Sequence, residues 1–145
     1  MALRVVLDAN QFVSAILVPV GHPAQILNAW RRGDLDLLIS PAILAEVRRV
    51  LLYPRLQRRH AWDEARVDSF LEGVWLAAIP TPGTTAVEAV PDDPSDDKYL
   101  VCALEGSAQY IIIGDRHLLR LDPWRGMRIV PPAVFLETEL ESKSR

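Results

Sequence analysis

The chain is poor in several residue types, and each shortage excludes something. Among its 145 residues there is one cysteine, Cys102, so neither an internal disulfide nor a thiolate metal cluster can form. Cys102 lies among Val101, Ala103 and Leu104 in a helical stretch and reads as a small buried residue rather than a nucleophile. The three histidines, His22, His60 and His117, show no metal-ligand spacing. The only lysines are Lys98 and Lys143, and position 10 is Asn, which argues against an aspartyl-phosphate phosphotransfer enzyme. The absence of a glycine-rich phosphate loop argues against a nucleotide-driven motor. No apolar run approaches the ~20 residues that span a bilayer, and the N-terminus has no signal-peptide pattern. A soluble, cytoplasmic protein without a membrane partner is the expectation. No internal repeat or low-complexity segment interrupts the chain.

The residues that are present suggest one globular unit. Half of them are apolar, and a chain of this length buries roughly 68–70% of its unfolded surface. A single domain over 1–145 is expected, with 142–145 as a frayed tail. The net charge of −3 conceals a segregation. Eight arginines lie from Arg31 to Arg66, and four aspartates fall in the six residues from Asp92 to Asp97. Arginines for a phosphate backbone and acids for a metal would look like this. Solvated helix faces explain the arginines at least as well.

Strands and helices alternate along the chain. Leu3, Val5, Val6 and Leu7 read as a strand buried on both faces that ends at Asp8. A short helix follows over Gln11–Leu17, and another runs from Pro23 through Ile26, Leu27 and Trp30 to Arg32, closed by Gly33. Leu35–Ile39 reads as the second strand. Ser40-Pro41 is a helix start, with Ile43, Leu44, Val47, Val50 and Leu51 on one face. Glu46 borders that face, about 40° from Val50. Tyr53-Pro54 ends the helix, and Arg55–His60 reads as a polar connection. Trp62–Ala78 reads as a helix, and Thr84–Val90 leaves room for a short edge strand. A further helix begins near Ser95 or Asp96 and runs to Glu105, stopped by Gly106. Strand Tyr110–Ile113 ends at Gly114-Asp115, His117–Leu119 makes a helical turn, Met127–Val130 is a last strand, and Pro132 opens a final helix through Phe135 and Leu136. This alternation predicts a three-layer α/β/α, Rossmann-like fold around a parallel sheet of four or five strands.

Four acids stand at strand ends or helix edges: Asp8, Glu46, Asp96 and Asp115. Ligands of open parallel sheets bind beyond the carboxyl ends of the strands. Asp8 and Asp115 would emerge side by side there if their strands are neighbours. Converging carboxylates repel unless a cation joins them. Carboxylate and water oxygens suit hard divalent cations, and magnesium needs only two or three carboxylates. Chemistry of this kind needs no histidine base. Asp96 and Asp97 are adjacent, and helix phase decides which faces inward. Capping is the structural alternative for the acids around the helix start and for Asp115.

The segments Val6-Leu7-Asp8-Ala9-Asn10, Ser40-Pro41-Ala42-Ile43-Leu44-Ala45-Glu46, Asp93-Pro94-Ser95-Asp96-Asp97-Lys98-Tyr99-Leu100 and Tyr110-Ile111-Ile112-Ile113-Gly114-Asp115-Arg116 carry a resemblance. In this order and spacing they resemble the PIN-domain family, in particular VapC-like ribonucleases, the toxin components of type II toxin–antitoxin pairs. The resemblance covers nearly the whole chain. It implies a Mg²⁺- or Mn²⁺-dependent endoribonuclease in which Asp8, Glu46, Asp96 and Asp115 form the acidic quartet. Asp8, Asp96 and Asp115 would hold metal, and Glu46 would complete the site or orient the attacking water. Asn10 would orient a carboxylate or a metal-bound water, or cap the turn. Arg116, Arg48 or Arg49 would contact the phosphate backbone. Gln11 departs from the small apolar residue expected at its position. The implied partners are RNA, a small antitoxin and a second copy of the chain, with the surfaces around Trp30, Leu51 or Trp75 as candidates. The alternative is a non-catalytic module of the same fold that acts through a protein or RNA partner.

Overall fold

A computed structural model of the chain describes residues 2–87 and 94–141. Five strands form: β1 (Leu3–Leu7), β2 (Leu35–Ile39), β3 (Ile79–Pro80), β4 (Tyr110–Ile112) and β5 (Arg128–Val130). Their order is β3-β2-β1-β4-β5, and every pairing is parallel. Val5, Val6 and Leu7 are buried on both faces of this sheet, as their uninterrupted apolar run requires. The chain moves outward from β1 through β2 to β3, then returns to place β4 on the other side of β1. The sheet therefore has its topological switch point between β1 and β4, where parallel α/β folds open a crevice. Leu7 pairs with Ile112, and the Asp8 N–H donates to the Ile112 carbonyl at 3.2 Å.

The flanking helices are α1 (Ala9–Leu17), α2 (His22–Arg31), α3 (Pro41–Leu51), α4 (Pro54–His60), α5 (Glu64–Ala77), α6 (Asp97–Gly106), α7 (Arg116–Leu119) and α8 (Pro132–Phe135). With the sheet they make the three α/β/α layers. Ser40 caps α3, its Oγ accepting from the Ile43 N–H, and Ile43, Val47 and Leu51 turn into the core. α6 lies across β1, β2 and β4. Its last residue, Gly106, approaches Leu38 so closely that a Cβ there would fall 2.4 Å from Leu38 Cδ1. The residues Leu136–Glu141 continue from α8 as a π-helical turn, pinned to β4 by a 2.7 Å bond from the Tyr110 hydroxyl to Glu139.

Some expectations need correction. Residues 54–60 form α4 rather than a polar connection, because Pro54 both ends the preceding helix and occupies the first turn of the next. The edge strand is Ile79–Pro80. Residues 84–87 form none, and 88–90 lie outside the described residues, as do Asp92, Asp93 and the tail 142–145. Pro80 is tolerated because this strand is at the sheet's edge. α6 extends through Gly106 and is closed by Ser107 in the left-handed region, φ 55°. Leu51 is fully buried, so it offers no partner surface, whereas Trp75 is exposed and Trp30 half-buried. Among the described residues no single helix is long and apolar enough to cross a membrane, and the α1–α2 pair that reaches the length is bent by 98°.

Candidate active site

Asp8 follows the last residue of β1 and caps α1, its Oδ1 accepting from the Gln11 N–H at 3.1 Å. It is only 5% exposed. Burial pushes its carboxyl up to about 6, against hydrogen bonds from the Gln11 side chain and backbone and from the Gly114 backbone, and the charge of Asp96 pushes the same way as burial. Asp8 is thus a buried acid at the switch point, sensing a second acid from a different element. Asp96 ends a short 3₁₀ turn, Pro94–Asp96, and precedes α6. It is half-buried, like Asp97, which opens the helix.

Glu46 reaches this place from α3. Its Oε2 accepts from the Tyr99 hydroxyl and lies 2.9 Å from the Lys98 ammonium, and its Oε1 lies 3.2 Å from Arg49. The Tyr99 hydroxyl also accepts from the buried Ala9 N–H at 3.1 Å. One phenol therefore ties Glu46 to the residue that follows Asp8. Burial, then the bond to Glu46, raises Tyr99 far above the ordinary phenol range and keeps it neutral. Tyr99 and Lys98 lie within a segment that the sequence reading singled out for its acids, yet neither had been given a role. Tyr99 buries its ring and leaves only its hydroxyl for polar contact, a pattern with no signature in sequence.

Gly114, whose backbone faces Asp8, carries the chain to Asp115. Asp115 caps α7, accepting from the His117 N–H at 2.7 Å, so its structural alternative is realised whatever else it does. Arg116 is the exposed first residue of α7, and Asn10 is exposed in the first turn of α1. Gln11 is buried, and its Oε1 has no hydrogen-bond partner among the described residues. Arg48 turns away to α5, bonded to Glu64 at 2.5 Å and Asp68 at 2.7 Å. Cys102 is fully buried and its thiol pushed up to about 11 by burial, which makes it inert.

Carboxylate oxygens are the donor set that a hard cation takes, and Asp8 together with Asp96 offers one. Asp8's carboxyl is raised chiefly because burial takes it out of water, with a smaller push from the charge of Asp96. Glu46, by contrast, already has two cations and a hydroxyl against it. Among the described residues no three His, Cys, Asp or Glu side chains are gathered closely enough to share one ion. The described cavities lie elsewhere. One of 260 Å³ is bounded by Ile16, Leu27, Trp62 and Phe70, and a second of 470 Å³ by Trp30, Phe70, Val74 and Ala77. Both are grooves of the helical layer, and neither is lined by Asp8, Glu46, Asp96 or Asp115.

Comparison with known proteins identifies the family. A family model described as "PIN domain" matches residues 4–117, which span Asp8, Glu46, Asp96 and Asp115. Uncharacterized protein MJ1680 of Methanocaldococcus jannaschii is 33% identical over 120 residues, covering 82% of this chain and 75% of that protein. With its parallel sheet, its acids at the switch point and this match, the chain belongs to the PIN-domain family.

Proposed function

We propose that the protein is a divalent-metal-dependent endoribonuclease. PIN domains are generally nucleases. The observation that carries the reading is an aspartate, Asp8, buried at the sheet's switch point within electrostatic reach of a second acid, Asp96; burial is the main cause that pushes its carboxyl up to about 6. A lone structural aspartate would be expected to find a cation or a fuller set of donors.

In this reading Asp8 and Asp96 hold the cation, with Asp115 contributing from the end of β4. A bound Mg²⁺ or Mn²⁺ polarises the phosphodiester, lowers the pKa of water and offsets charge on the leaving oxygen. The chain's own residues do the positioning. Gln11 and Gly114 donate to Asp8 and hold its carboxylate toward the mouth. Tyr99 fixes Glu46 against the first turn of α1, and from there Glu46 directs the hydrogen-bond donors around it. Asn10 and Arg116, both exposed at the mouth, meet the solvent-side water and the RNA backbone.

The reading extends to a role as the toxin of a type II pair, acting in the cytoplasm, with a small antitoxin as partner and a homodimer as its assembly. The apolar groove along Trp30, Phe70 and Val74, with Trp75 exposed beside it, supports a surface for such a partner. Co-purification with the product of the neighbouring gene tests that role separately from the chemistry.

The primary test incubates the purified protein with labelled single-stranded and structured RNAs, with Mg²⁺ or Mn²⁺ and with EDTA, beside an Asp8→Asn variant. Cleavage that needs the metal and vanishes in the variant is expected. No cleavage of any RNA, with no metal binding by calorimetry, would leave the non-catalytic binding module as the better account.

A further inference from the structure

Lys98 is placed against the preferences of its own helix. It is the second residue of α6, where the helix dipole presents positive charge and disfavours a cation. Its side chain is only 17% exposed, so it gives up much of a lysine's rotamer freedom. The ammonium is held by Glu46 Oε2 at 2.9 Å and by the Ser95 carbonyl at 2.5 Å, and it lies 5.2 Å from the centre of the Tyr99 ring. Arg49 occupies the other Glu46 oxygen. Among the described ion pairs of Glu46, one carboxylate meets two cations. Tyr99, through its bonds to Glu46 and to the Ala9 N–H, fixes these three side chains beside Asp8.

A phosphodiester approaching Asp8 and Asp96 meets two negative groups, and it needs a fixed cation to approach them. We propose that Lys98, held by Glu46, binds a phosphate of the RNA at the mouth of the site. This rests on the nuclease reading and adds to it a substrate-binding residue. Glu46 then acts as the organiser of a phosphate-binding pair, with Arg49 as the outer member. Lysine serves such a role as a point charge.

The experiment measures binding of a short labelled single-stranded RNA to the intact protein in EDTA, by fluorescence anisotropy, between about 50 and 200 mM salt. Wild type is compared with Lys98→Gln, which keeps a donor for Glu46 but loses the charge, and with Lys98→Arg, which keeps both. Loss of one phosphate contact lowers the slope of log affinity against log salt by about 0.7 on a single strand and weakens binding alike for all sequences. That result is expected for Lys98→Gln, with Lys98→Arg retaining the wild-type slope. A wild-type slope in Lys98→Gln overturns the proposal, as does an equal loss in both variants or unfolding of both by circular dichroism, since each assigns Lys98 to packing alone. Metal-dependent cleavage by wild type with an unchanged Lys98→Gln slope removes the Lys98 assignment and leaves the nuclease reading intact. Absence of both RNA binding and cleavage by wild type removes both.

Discussion

At the scale of single residues, Asp8 makes stability depend on pH in an unusual direction. Its carboxyl titrates near 6 in the folded chain, chiefly through burial, and near 3.9 when unfolded. Between those values the unfolded chain has lost the proton and the folded chain keeps it, so stability falls as pH rises from about 4 to about 6. The loss amounts to about 3 kcal/mol without a cation. Urea melts in EDTA should therefore show Asp8→Asn gaining on wild type across that window, with the gap constant above about pH 7. A second expectation concerns Tyr99→Phe, which leaves the buried Ala9 N–H without its acceptor and takes a donor from Glu46. A cost of about 1–3 kcal/mol is expected in chemical denaturation. The two residues differ in how far they could be read in advance. Asp8 interrupts a buried apolar run, and that interruption is visible in one dimension. The bonds from Tyr99 and Lys98 to Glu46 join residues about fifty positions apart, the hydroxyl pair being separated by 53, and no periodicity connects them. The unpaired oxygen of Gln11 was likewise hidden, because a glutamine's partners are set by the surrounding fold.

At the scale of elements, the strongly patterned pieces were legible and the short ones were not. The start of α3 is written in Ser40-Pro41, and of the five apolar residues on its expected inner face Ile43, Val47 and Leu51 are buried while Leu44 and Val50 are partly buried at its border. α4 was missed because Tyr53-Pro54 signals a stop and a start at once, and seven polar-rich residues carry no apolar face to decide between them. β3 has two residues and no pattern to detect. The meeting of α6 with β2 gives an expectation at this scale. Leu38 is fully buried, so its methyl groups have little room to yield to a side chain at position 106. Gly106→Ala should cost about 1–3 kcal/mol by overpacking. Gly106→Ala combined with Leu38→Ala should cost less than the sum of the two single changes, as a double-mutant cycle by urea melts would show. Additive losses would mean that α6 shifts freely on the sheet.

At the scale of the whole molecule, the candidate acids come from separated parts of the chain. Asp8 ends β1, Glu46 lies on α3, Asp96 precedes α6 and Asp115 follows β4. In the proposed reading, a cation held by Asp8 and Asp96 would add its binding energy to the stability of the fold. With free Mn²⁺ at about 100 times its dissociation constant, this linkage adds about 2.7 kcal/mol. For a chain of this size the melting temperature should rise by about 5–10 °C at neutral pH. Asp8→Asn should show little or no rise, and an equal rise in both proteins would place the ion elsewhere. The switch point between β1 and β4 has a further consequence in the order of synthesis. β1 is made before the other four strands but occupies the middle of the sheet, and one side of it stays bare until Tyr110–Ile112 has been made. The Asp8 N–H has no Ile112 carbonyl before then, and Gly114 and Asp115 come later still. A nascent chain thus carries its acids unassembled until the segment through Asp115 has been made, and any cutting site closes only after that.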